Sequence, residues 1–180
     1  MRVVLVAAQS LDGFITRHEQ PGTAFTSPED RRWFPACLRE FDCCVLGATT
    51  YRESRAAILA ELPQAQRRRV VLTRDPDDFA ADAQPGLLEF TSDAPGAVLA
   101  RLSAAGLSRC ALLGGGEING LFLDAGFVDE AWITVEPRLF GGGRPLAAGR
   151  RDLRLHLLES ERLGPDVLLL RYAITRRSEP

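Results

Sequence analysis

An α/β fold is the architecture this sequence predicts: a mixed, mostly parallel central sheet flanked by helices, with antiparallel strands at the C-terminal end. Three observations predict it. Short apolar runs alternate with helical patterns from Val3 to Gly126. From Val128 onward only strand-like runs remain. The 180 residues, 46% of them apolar, contain no repeat, low-complexity tract or linker, so residues 1–180 are expected to form one domain.

Each element has a local reason. Val3 to Ala8 is an almost unbroken apolar run, the signature of a strand buried on both faces. Residues 9–26 are rich in Gly, Pro, Ser, Thr and Asp and predict a long loop, with a short strand at Phe14-Ile15. Ser27 is placed to cap a helix that Pro28, Glu29 and Asp30 open, and Trp33, Phe34, Cys37, Leu38 and Phe41 give it an apolar face. Cys43 to Leu46 predicts a second buried strand closed by Gly47, and Thr49 or Thr50 is expected to cap the helix running to about Leu62. Val70 to Thr73 and Leu87 to Phe90 predict two further strands. Ser92 or Asp93 is expected to cap a helix ending near Gly106. Cys110 to Leu113 enters Gly114-Gly115-Gly116, and a helix follows with Gly126 as its C′ residue. Val128 to Val135 predicts a strand, and residues 153–163 and 167–176 predict two more around a turn at Gly164-Pro165-Asp166.

Composition narrows the chemistry. The 22 basic residues are all arginine, which excludes a lysine Schiff base, a P-loop and a Ser-Lys dyad. The net charge is −2 and the longest basic run is Arg67-Arg68-Arg69, so no nucleic-acid partner is expected. Only His18 and His156 are present and no metal site is expected. The four cysteines, Cys37, Cys43, Cys44 and Cys110, form no C-x-x-C pair and read as small buried hydrophobes. No run approaches the ~20 apolar residues of a membrane span, and no signal-peptide pattern opens the chain, so the expected compartment is the cytoplasm.

In a wound sheet, ligands bind beyond the carboxyl ends of the parallel strands. Four such ends here are Ala7-Ala8-Gln9-Ser10-Leu11-Asp12-Gly13, Gly47-Ala48-Thr49-Thr50, Thr73-Arg74 and Gly114-Gly115-Gly116-Glu117. Small residues, hydroxyls, an arginine and a helix start on one rim point to a ligand bearing phosphate. The glycines do not make a G-x-G-x-x-G fingerprint, because Asn119 takes the third position.

Four segments together resemble the dihydrofolate-reductase superfamily, in particular its riboflavin-biosynthesis pyrimidine reductase branch. They are VAAQSLDGFIT (6–16), SPEDRRWF (27–34), LGATTY with LTR (46–51 and 72–74), and LLGGGEINGLFLDAGFVDEAWITVEPRLFGGGRPL (112–146). The resemblance implies a dihydrofolate-reductase-like domain that binds NADPH. It assigns Gly47, Thr49 and Thr50 to the pyrophosphate, and Thr73 and Arg74 to the 2′-phosphate. Gly114, Gly115 and Gly116, with Glu117 and Ile118 behind them and Ala8 opposite, are assigned to the nicotinamide side. In dihydrofolate reductases the first two of these glycines are joined by a cis peptide. The resemblance also makes Asp30 the carboxylate that binds the amino-pyrimidine edge of the heterocycle and Thr134 its support. Phe34, one turn on from Asp30, is expected to pack on a bound ring, and the proton is expected to arrive through ordered water or an acid such as Asp30. Asp12 of the S-L-D-G loop is a second candidate catalytic carboxylate.

Asp30 has an alternative reading as a helix-start acid, and Asp12 as a turn aspartate before Gly13. Two departures from the family pattern stand out. Phe14 occupies the lysine position of S-L-D-G-K. Ala48 replaces an arginine, leaving Arg74 as the cation for the 2′-phosphate. The functional expectation is an NADPH-dependent reductase of a small nitrogen heterocycle that pairs as a homodimer through its sheet edge. The alternatives are a non-catalytic NADP- or nucleotide-binding module, or a specific 5-amino-6-(5-phosphoribosylamino)uracil reductase.

Overall fold

The structure is a computed structural model that describes residues 1–20, 22–64 and 66–175. Eight strands and four α-helices follow in the order β1 (Arg2–Ser10), α1 (Pro28–Leu38), β2 (Cys43–Gly47), α2 (Ala48–Glu61), β3 (Arg68–Leu72), β4 (Leu88–Thr91), α3 (Pro95–Ala104), β5 (Arg109–Gly114), α4 (Gly116–Asp124), β6 (Glu130–Glu136), β7 (Leu155–Arg162) and β8 (Leu168–Ile174). They form one sheet in the order β4-β3-β2-β5-β1-β6-β8-β7. The first six pair in parallel. β8 then pairs antiparallel to β6, and β7 antiparallel to β8, closing the sheet. The change of pattern after residue 128 is thus the change from parallel body to antiparallel edge.

Alternation along the strands makes two cores. Val4 and Val6 of β1, Cys44 and Leu46 of β2 and Trp132 of β6 face a layer holding Cys37 and Leu38 of α1 and Tyr51 of α2. Val3, Leu5, Cys43, Val45 and Ile133 face the opposite layer, with Val98 and Leu102 of α3 and Phe122 of α4. Burying both faces of the central strands explains their unbroken apolar runs. All four cysteines are buried free thiols, and burial pushes Cys37 up to about 12 and Cys44 up to about 11.

The structure differs from the expectations at some element ends. The N-cap of α2 is Gly47, not Thr49 or Thr50, and it makes no side-chain cap bond. The N-cap of α3 is Ala94, because Pro95 sets the first helical turn; Asp93 instead donates its N–H to Thr91 Oγ1. Phe14 makes a single bridge to Pro145 rather than a strand. As expected, Ser27 caps α1, accepting from the Asp30 N–H at 3.1 Å. Gly126 has the positive φ, +68°, of a helix C′ residue.

Candidate functional site

Because β5 lies between β1 and β2, the chain reverses direction across the sheet there, and the carboxyl ends of these strands open a crevice. A cavity of about 290 Å³ occupies it. Its floor is Val6, Ala7 and Ala8 of β1 with Leu46 and Cys44 of β2. Asp30, Phe34 and Leu38, spaced one turn apart on α1, form one wall. Thr50, Glu53, Ser54, Ala57, Ile58 and Glu61 on one face of α2 form the other, with Gly115 at the mouth.

Asp30 is 7% exposed. Burial raises its pKa above the ordinary aspartate value. The Thr134 hydroxyl opposes that shift, the negative charge of Glu136 adds to it, and Thr26 and Arg31 oppose it. Thr134 is fully buried opposite Ala8 in the β1–β6 register. Its hydroxyl closes no hydrogen bond of normal length, so its effect on Asp30 is one of proximity.

At the mouth, α2 and α4 both begin without a side-chain cap, at the ends of the neighbouring strands β2 and β5. Their first backbone N–H groups and positive dipole ends therefore converge on one place. The Gly114–Gly115 peptide is cis. A Cβ on Gly115 would stand 3.6 Å from Thr50 Oγ1 and 3.9 Å from Ile15 Cδ1, filling space at the cavity mouth. Ile118 packs over Gly47, and a Cβ on Gly116 would strike the Pro145 carbonyl at 2.5 Å. Glu117 is exposed on the first turn of α4.

Thus Ala8, Asp30, Phe34, Thr49, Thr50 and Gly115 line one cavity, with Gly47, Gly114, Gly116, Ile118 and Thr134 packed behind or beside it. Thr73 and Arg74 stand off it, just past the end of β3 on the same edge of the parallel sheet; Arg74 is exposed and makes no ion pair among the described residues. Asp12 lies outside the lining. Its carboxylate accepts from the Ser10 hydroxyl at 2.6 Å, from the Gly141 N–H at 2.7 Å and from the Phe140 N–H. These bonds hold its pKa below the usual range. The geometry corrects the pocket-facing expectation for Asp12: it braces the Gly-rich turn after β6.

Several residues at the site were not singled out from the sequence. Glu136, 1% exposed, accepts from the Ser27 hydroxyl at 3.0 Å. Arg67 and Arg69 close the far end of the cavity. Arg67 donates to the Leu38 carbonyl at 2.6 Å and its buried Nε has no partner, while Arg69 pairs with Glu61 at 2.7 Å. The available signals were a charged residue closing the apolar run 131–135 and a basic triplet leading into an apolar strand. Among the described residues, no three His, Cys, Asp or Glu side chains gather as a metal site. No helix among them is long and apolar enough to cross a membrane.

Comparison with known proteins agrees with this geometry. The sequence profile of the RibD C-terminal domain matches residues 1–169. The chain is 27% identical over 171 residues to the uncharacterized protein YwjB of Bacillus subtilis, covering 93% of this chain and 95% of that one. It is 26% identical over 214 aligned positions to the 2,5-diamino-6-ribosylamino-4(3H)-pyrimidinone 5′-phosphate reductase of Methanothermobacter thermautotrophicus, covering 93% and 95%. A pyrimidine reductase-like protein from Corynebacterium diphtheriae superposes with a TM-score of 0.76 at 17% identity, over 97% of this chain and 92% of that one. The chain therefore belongs to the RibD C-terminal domain family and carries its dihydrofolate-reductase-like fold.

Proposed function

We propose that this protein is an NADPH-dependent reductase of a small nitrogen heterocycle, pyrimidine- or pterin-like. One observation carries the reading. A buried carboxyl with a raised pKa faces the same cavity on whose mouth two uncapped helix N-termini converge. The residues present fit the cofactor. The N–H groups at the starts of α2 and α4 suit a pyrophosphate, Gly115 leaves the room a flat ring needs, and Arg74 suits a 2′-phosphate. When bound, NADPH supplies hydride.

The chain's own residues do the rest. Phe34 gives the heterocycle a face to pack against. Val6, Ala7, Ala8 and Leu46 keep water from the floor. Asp30, whose pKa burial raises, binds the N–H-rich edge and in its protonated form donates a proton to one atom of the C=N or C=C bond as the other accepts hydride. It is left as a carboxylate and regains its proton from water. Asp12 acts at one remove, by holding the turn at 140–141.

A second reading has its own support. The two arginines at the far end of the cavity suit a 5′-phosphate, the group named in the Methanothermobacter relative's substrate. That favours a specific pyrimidinone-phosphate reductase.

NADPH oxidation against a panel of pterins, pyrimidines and phosphorylated flavin precursors tests both. Turnover is expected, and restriction to 5′-phosphorylated substrates selects the second. Tight NADPH binding with no turnover on any member would leave a binding module. In the same assay Arg74→Ala should cost about 1.5–3 kcal/mol of NADPH binding, roughly ten-fold or more, and leave NADH unchanged. Equal losses for both cofactors would reject the assignment of Arg74.

A further inference from the structure

Glu136 has no place in the reaction as described, yet it is a carboxylate buried to 1% exposure at the end of β6. Thr134 and Glu136 are two residues apart on a strand, so both point to the face on which Trp132 packs with α1. The Ser27 hydroxyl donates to Glu136 Oε1 at 3.0 Å, and Ser27 Oγ in turn accepts from the Asp30 N–H at 3.1 Å. Two hydrogen bonds therefore join the Glu136 carboxylate to the backbone of Asp30. The positive end of α1 offsets part of the cost of burying that charge.

Glu136 is the negative group that acts on Asp30 from another element. Arg31, on the same helix as Asp30, is the cation nearest in effect; it is exposed and donates to the Ala24 carbonyl. The remaining polar neighbours are the hydroxyls of Thr134 and Thr26. Glu53 and Arg144 also line the cavity, and Arg67, Arg69 and Glu61 lie at its far end. Among the described residues, the corner that holds Asp30 thus has two buried carboxyls and no buried cation.

We propose that Glu136 is a positioning residue for Asp30: through Ser27 it sets the first turn of α1 over the cavity, and its negative charge favours the protonated form of Asp30. Two like charges in one low-dielectric corner are not both ionised without cost, so ionising Asp30 beside the Glu136 carboxylate costs more than ionising it alone. The direction of the Asp30 shift, with burial first and Glu136 adding to it, agrees with that arrangement. The inference rests on the reading of Asp30 as the acid of the site.

The test is a carboxyl-carbon NMR titration of the full chain, with Asp30→Asn to assign the signal, alongside the pH profile of NADPH turnover. In the wild type the Asp30 signal should titrate above the ordinary aspartate range. Glu136→Gln keeps an oxygen for the Ser27 hydroxyl and removes the charge. It should move the Asp30 midpoint, and the alkaline limb of kcat with it, to lower pH. Glu136→Asp should restore both toward the wild type.

A role confined to anchoring the helix would lower the Tm of Glu136→Gln and leave midpoint and limb in place, which overturns the proposal. An Asp30 midpoint within the ordinary aspartate range in the wild type overturns it without any variant. The titration does not depend on turnover. An Asp30 midpoint that falls in Glu136→Gln, with no NADPH oxidation on any heterocycle, supports the proposal and rejects the reductase reading. Turnover with an Asp30 midpoint that Glu136→Gln leaves in place does the reverse.

Discussion

Burial makes the folded chain hold the Asp30 proton more tightly than the unfolded chain does. Below the ordinary aspartate pKa both states are protonated and the shift has no effect on stability. As pH rises from there to the raised folded value, the unfolded state binds fewer protons than the folded one, so stability falls. Above the folded value the loss is complete and constant. Asp30→Asn removes the ionisation and keeps the shape. The variant should therefore have a higher Tm than the wild type at neutral pH, with the gap closing on acidification toward pH 4. It should also be impaired in turnover or heterocycle binding while NADPH binding is preserved. Thermal unfolding at the two pH values checks the first claim, and a neutral-pH Tm no higher than the wild type's would contradict it. A carboxyl kept at a site where it weakens the fold fits a chemical role better than a helix-start role, since a first-turn acid open to solvent stabilises its helix.

At the scale of elements, α4 couples the glycine turn to the segment that follows β6. Asn119 donates to the Leu146 carbonyl at 2.7 Å, and the Ala148 N–H reaches the Gly116 carbonyl at 2.8 Å. Arg151 pairs with Asp124 at the end of the helix. The two can lie this close because Gly116 and Gly120 carry no side chain: a Cβ on Gly120 would sit 2.5 Å from the Ala148 carbonyl oxygen, a backbone atom. Gly120→Ala gains about 1 kcal/mol of helix propensity. The overpacking it forces costs about 1–3 kcal/mol. The net should be a lower denaturation midpoint. An unchanged midpoint in a urea titration would show that the segment yields freely.

This contact also marks what the sequence could and could not reveal. The elements themselves were legible, because buried strands and amphipathic helices carry their periods in their own residues. The Ser27 cap and the Gly126 stop were legible for the same reason. The cap of α2 was not, since two threonines near the helix start serve the cavity instead. The order of strands in the sheet and the Ser27–Glu136 bond depend on contacts distant in sequence, where no local pattern speaks. Asp12 was visible as a polar residue at a strand end, but its side chain turns to the 140–141 backbone, a partner that only the folded loop provides.

At the scale of the whole molecule, the free edge of the sheet stands out. β7 is exposed along its full length, with Leu155, Leu157 and Leu158 at 45%, 47% and 51% exposure and Leu168 of β8 at 41%. In contrast, Leu169 of β8 is fully buried and Leu163 packs on the core, which narrows the exposed apolar surface. A second copy adding strand to strand is disfavoured. The register shift between Leu157 and Glu159 breaks the edge, and Glu159, Glu161 and Arg162 charge the rest of it. The leucines instead suit association through the face of the hairpin, with a two-fold axis bringing the same patch together. A stable interface of this kind needs roughly 800 Å² from each partner, more than four leucines supply alone, so neighbouring residues of β7 and β8 must join. We expect sedimentation at micromolar concentration to give twice the 19.7 kDa chain mass. The double substitution Leu155→Glu, Leu157→Glu should return the chain mass with the fold intact by circular dichroism. A wild-type mass of one chain at that concentration would reject the dimer. A dimer that survives the double substitution would move the interface to another face.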